Sequence, residues 1–109
     1  MNIFSLSEIT SQRDRSRRLF LEFLRSDSLS AGLYELKSGS EDPQTPHAED
    51  EIYYIIRGRG MIRIDNDHQA VGPGNIIFVA KGADHRFYSI TEDLTMLVVF
   101  ALFFVHKSF

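Results

Sequence analysis

Residues 43–60 read PQTPHAEDEIYYIIRGRG. One histidine, His47, stands four positions before Glu51, and a run of β-branched and aromatic residues (IYYII, 52–56) follows, then two glycines, Gly58 and Gly60. Such side chains pack well on a pleated surface and lose rotamer freedom on a helix, so the run is expected to be a strand. A second stretch, GNIIFVAKGADH at 74–85, ends another strand-like run with a further histidine, His85. The remaining chain reads as scaffold that brings these two segments together.

The four-residue spacing of His47 and Glu51 has two readings. On a helix, opened by Thr45 as cap and Pro46 in the first turn, the two side chains would lie one turn apart and could share a metal. On a straight strand they share a face, but their α-carbons would be roughly 13 Å apart. Ligand bonds of about 2.0–2.2 Å cannot close that gap. The chain must then bend or bulge between Pro46 and Asp50, which the proline and the polar residues 48–50 permit. By strand parity Glu51, Tyr53 and Ile55 face one side, and His85 and Phe87 share a phase. Two histidines and a carboxylate at one end of a β-barrel make a set that suits Fe(II), and also Mn, Ni, Zn or Cu. His68, in a hairpin, and His106, near the chain end, are read as structural or surface residues.

Outward from this stretch the chain is built from short strands and turns. Residues 1–18 are a polar and basic segment, in which Ser5 or Ser7 could cap a short helix. Its arginines, Arg13, Arg15, Arg17 and Arg18, are read as a solvated face. From Leu19 to the end the chain reads as one barrel domain (19–109). Strands are expected at 19–24 and 29–36, with a polar loop at 37–43. Further strands are expected at 61–64, 69–71, 76–80, 85–90 and 94–104, with turns at 57–60 and 91–93. Eight or nine short strands at this spacing predict an all-β, antiparallel barrel or sandwich after a short helical or irregular segment.

At 109 residues the chain is one domain. A net charge of −3 gives no reason to propose nucleic acid as a partner. The absence of cysteine removes disulfides and thiolate metal sites and fits a reducing cytosol. The N-terminus lacks a signal-peptide pattern, and the longest apolar run, 96–105, is about half a membrane span. A cytoplasmic protein with no membrane partner is expected. Because the 96–105 run is apolar on both alternating faces, its second face needs cover. A homodimer through one face of this strand and the first strands is the expected solution.

The two segments resemble the paired motifs of the small single-domain cupins. The first motif is Gly, five residues, His-x-His, three or four residues, Glu, six residues, Gly, and is matched by Gly39, His47, Glu51 and Gly58. The second is Gly, five residues, Pro-x-Gly, two residues, His, three residues, Asn, and is matched by Gly74, Gly82 and His85. The resemblance covers residues 28–101 and implies a jelly-roll barrel, or double-stranded β-helix, with a divalent metal in its cavity. His47, Glu51 and His85 are the implied ligands. Thr45 stands where the motif has its first histidine, and Gln44, one position earlier, offers a side-chain carbonyl in its place. Ala80 and Ser89 replace the motif proline and asparagine.

Two functions from different classes follow. A metal-binding cupin could act on a small organic molecule as a dioxygenase or isomerase, with Tyr53 and Phe87 lining the substrate cavity. A non-catalytic cupin would hold a small ligand without turnover, and the scarcity of a further base, only Glu49 and Asp50 lying near, favours that class. A third reading is a barrel with an empty cavity.

Overall fold

The computed structural model describes residues 1–102. Residues 103–109, including the expected end of the last strand at Phe104 and the His106 position, lie outside the described residues. One helix, α1 (Leu6–Ser16), precedes six strands. These are β1 (Phe20–Arg25), β2 (Leu29–Leu36), β3 (Glu51–Ile64), β4 (Asp67–Val71), β5 (Ile76–Val79) and β6 (His85–Ala101). All pairings are antiparallel, in the order β1-β2-β6-β3-β4, with β5 added to β3.

The strand count falls short of the eight or nine expected, because two expected turns are bends within long strands. β3 runs through residues 57–60, where its register against β6 shifts three times between Ile55 and Met61. Gly58 has φ +96°, and a Cβ there would stand 2.2 Å from the Asp93 carbonyl oxygen. Only glycine allows β3 so close an approach to β6, so the glycine signal marks a bulge in their pairing and not a reversal. β6 likewise continues through 91–93. Each long strand thereby serves two layers. The first half of β3 pairs with the last residues of β6 and with β5, and its second half pairs with the start of β6 and with β4.

Alternation along β3 puts Glu51, Tyr53 and Ile55 inside and Ile52 and Tyr54 outside. Leu36, Ile62, Phe87, Leu94, Met96 and Val98 join Tyr53 and Ile55 in the core. The outer face of the first layer is also apolar. One row across the strands is Leu24, Ala31, Val99, Ile52 and Phe78; the next is Leu21, Leu33, Leu97, Tyr54 and Ile76. This explains why the last strand is apolar on both faces.

α1 lies against β1 and β2 and covers one end of these rows. Ser5 occupies its N-cap position, but the serine hydroxyl meets Ser7 Oγ at 2.9 Å and makes no capping bond to the backbone. Ile9 and Arg13, four residues apart on one helix face, are both buried. Arg13 therefore departs from the solvated face expected of the basic cluster. The buried carboxylate of Glu35 on β2 lies 3.1 Å from its guanidinium, and that partner could not be read from the local sequence.

Candidate metal centre and its cavity

His47 sits in neither a helix nor a strand. Residues 37–50 form an irregular loop, and β3 begins at Glu51. The bend required between Pro46 and Asp50 is therefore present. Three bonds hold it: Gly82 N–H to the His47 carbonyl (2.7 Å), Lys81 N–H to the Asp50 carboxylate (2.8 Å) and Ala101 N–H to the Asp50 carbonyl (2.9 Å). The turn that leads into His85 is thus the same turn that holds His47 in place.

The ligand atoms of His47, Glu51 and His85 all lie within 4.8 Å of one another. His85 and Glu51 are buried and His47 half-buried. The other nitrogen of the His85 ring, Nδ1, is 3.1 Å from the Ala83 carbonyl, which favours a proton there and turns Nε2 toward the cluster. That Nε2 is 3.0 Å from Glu51 Oε1 and 3.1 Å from the Tyr53 hydroxyl. The approach to Glu51 lacks hydrogen-bond alignment, and among the described residues neither Glu51 oxygen accepts a hydrogen bond. Burial works to lower the His85 pKa, but the Glu51 carboxylate, the Ala83 carbonyl and the Asp42 charge outweigh it and raise the value above normal. A buried carboxylate is costly unless a cation shares its site, a need that a protonated His85 or a metal ion meets. The donor set of two imidazoles and one carboxylate thus fits a divalent transition metal.

Gln44 joins the cluster. Its Oε1 is 3.3 Å from His47 Nε2 and accepts a 2.7 Å bond from the Tyr53 hydroxyl. Thr45 makes no bond into the cluster. Burial first, and then the Glu51 charge, push the Tyr53 hydroxyl well above its ordinary pKa, so it stays a neutral donor.

Beside the cluster opens a cavity of about 300 Å³, lined by Phe20, Tyr34, Gln44, His47, Phe100 and other residues. Tyr53 and Phe87 lie in the fully buried layer behind it, ring edge to ring face at 5.0 Å. The aromatic wall is instead built from Phe20, Tyr34 and Phe100, which meet edge to face. Glu49 and the ion pair of Glu22 with Arg25 (2.7 Å) also line it. His68 is remote from the site, exposed and bonded to the Tyr88 hydroxyl at 2.6 Å.

The family model for the cupin domain matches residues 32–100. The chain belongs to the cupin family. This cupin is 40% identical over 101 residues to the uncharacterised protein SCO3923 of Streptomyces coelicolor, covering 93% of this chain and 96% of that one. Its fold is similar to the crystal structure of TT1209 from Thermus thermophilus, with a TM-score of 0.73, 23% identity, and 93% and 97% of the two chains covered. It is also similar to the DMSP lyase DddQ from Ruegeria pomeroyi, with a TM-score of 0.67 and 25% identity over 75% of this chain. The cupin spans only 42% of that lyase.

Asp42 was not singled out by the sequence, since a carboxylate in a polar loop normally faces water. It is buried, and its partners are Tyr34 and Phe87 as well as Gln44. No local pattern signals contacts with residues 8 and 45 positions away.

Proposed function

We propose that His47, Glu51 and His85, with Gln44 as fourth donor, hold a divalent metal (Fe, Mn, Ni, Zn or Cu), and that the adjacent cavity receives a small organic molecule. The observation that carries this reading is the convergence of two imidazoles and one buried carboxylate, the ligand atoms of His47, Glu51 and His85 lying within 4.8 Å of one another. A bound metal with open positions would supply Lewis-acid polarisation of a substrate oxygen, which permits isomerase chemistry, and a redox-active one would permit dioxygenase chemistry. The chain's own part is to shape and dry the site. Phe20, Tyr34 and Phe100 exclude water from one side, Tyr53 holds Gln44 by its hydroxyl, and Glu49 offers a carboxylate at the cavity. A non-catalytic binding cupin is the second reading, favoured by Thr45 standing where the motif has a histidine. Metal analysis of protein purified without a histidine tag tests the site. We expect close to one ion per chain, and below about 0.1 the reading falls.

A homodimer is part of the proposal. The outer rows of the first layer are covered by α1 at one end only, and Ile52, Tyr54, Ile76 and Phe78 at the other end remain exposed. Contiguous exposed apolar surface of this kind marks an interaction site. In the proposed dimer a second copy covers this end together with the outer face of β6, while β1, also expected at the interface, lies against α1. Among the described residues no helix is long and apolar enough to cross a membrane. With no cysteine in the chain, a cytoplasmic location remains our proposal.

A further inference from the structure

Gln44 can serve as a metal donor only through its carbonyl oxygen, and an amide has two ends of nearly equal size. Which end faces the cluster depends on what holds the other. That partner is Asp42. Its Oδ2 accepts a 2.8 Å bond from Gln44 Nε2, and its Oδ1 accepts a 3.1 Å bond from the Gln44 main-chain N–H. One carboxylate thus grips the same residue by side chain and backbone at once.

Asp42 is itself anchored from two strands. The Tyr34 hydroxyl on β2 donates to Oδ1 at 2.7 Å, and the Phe87 main-chain N–H on β6 donates to Oδ2 at 3.0 Å. Four donors converge on a buried carboxylate, which accepts bonds and has no proton to offer while ionised. Flipping the Gln44 amide would set its carbonyl oxygen against Oδ2 and turn its NH₂ toward Tyr53, which already donates there. The contact with Oδ2 forbids the flip, because an ionised carboxylate cannot donate, whereas the Tyr53 hydroxyl can turn to accept. Burial first, and then the Asp42 bond and charge, raise the Tyr34 pKa, so this anchor also stays a neutral donor.

We propose that Asp42 is the positioning residue that makes Gln44 a metal ligand. It locks the amide so that the carbonyl oxygen faces His47 and the NH₂ does not. This inference rests on the metal-site reading above and extends it to a residue that touches none of the three core ligands. It also accounts for how the site can function with Thr45 at the histidine position: the donor moves back one residue, and a buried carboxylate two residues earlier fixes its direction.

The test is a double-mutant cycle on metal-free protein titrated with Co²⁺, read by chelator competition and by the Co²⁺ visible absorption. The apoprotein melting temperature serves as the measure of folding. In Asp42→Asn one oxygen becomes an NH₂, and in either orientation Gln44 loses one of its two bonds. We expect Co²⁺ affinity to fall about tenfold and the absorption to change, the scale known for outer-shell partners. In a Gln44→Ala background the same substitution should change affinity less than about twofold, because its effect runs through the missing amide. Losses that simply multiply overturn the proposal and assign Asp42 a general role in folding. Should Asp42→Asn fail to fold, Tyr34→Phe removes one of the four donors and runs the same cycle, with a smaller loss expected only where Gln44 is present. A wild-type protein that takes up no Co²⁺ defeats the metal reading itself, a result distinct from either cycle.

Discussion

Arg13 of α1 meets Glu35 of β2 at 3.1 Å where both side chains are buried, and this pair fastens the N-terminal helix to the barrel. Glu35 also accepts a 3.1 Å bond from Thr95 and lies near Lys37 and Arg57, whose exposed charges add little. The two ends of the pair are not equivalent. Arg13 Nε is buried without a partner, whereas Glu35 serves several donors. Replacing Arg13 by an apolar side chain of similar length removes a cation with one buried N–H unpartnered, whereas removing Glu35 leaves that cation only the exposed Asp14 carboxylate and the Arg18 carbonyl. Arg13→Met is expected to cost about 1 kcal/mol or less and Glu35→Ala about 3 kcal/mol, measured by urea unfolding of the metal-free protein. Equal costs would contradict this account.

The close approach of the two long strands at the Gly58 bulge predicts a local intolerance. A Cβ there meets the Asp93 backbone, which cannot yield as a flexible side chain could, and the φ is unfavourable for any other residue. Gly58→Ala should cost at least about 2 kcal/mol. Gly82→Ala is the control, since its φ is also positive at +77° but nothing lies within 4 Å of the added carbon. Strain alone, about 1 kcal/mol, is expected there. Thermal melts of both variants distinguish the two.

Metal retention should separate the histidines by position. Glu51→Ala and His85→Ala are each expected to abolish it, because both lose a donor to the one buried cluster. His68→Ala should keep it, its ring being engaged with Tyr88 on the surface. Elemental analysis after gel filtration decides the matter. Loss in all three variants would mean that they act through stability.

For assembly, sedimentation equilibrium of the wild type at micromolar concentration should report a dimer. Ile76→Lys with Phe78→Asp, both side chains being exposed on β5, should shift it to monomer without lowering metal content. A wild type that stays monomeric at every concentration ends the idea.

Much of this architecture is legible in the chain itself. The 52–56 run alternates into and out of the core as its parity requires, because a pleated strand leaves no other choice. The order of His47, Glu51 and His85, their strand parity and the paired motifs they stand in lead to the expectation that they meet at one end of the barrel. What no local pattern carries is the partner of a buried charge. Asp42 and Arg13 look like solvent residues because each stands among polar neighbours, and Glu35 because it is a charge in an apolar strand, yet each is buried by a strand or helix distant in sequence. The glycines at 58 and 60 likewise read as a turn, and only the close passage of β6 converts that signal into a bulge. Hydrophobic period and backbone sterics act between near neighbours, so the sequence alone determined the strand-rich pattern and the order of His47, Glu51 and His85, but not where β3 and β6 run on through expected turns. Compensation of buried charge acts between elements that meet only in the folded chain, so the tertiary structure alone decided which carboxylate faces Gln44, which faces Arg13, and which meets His47 and His85.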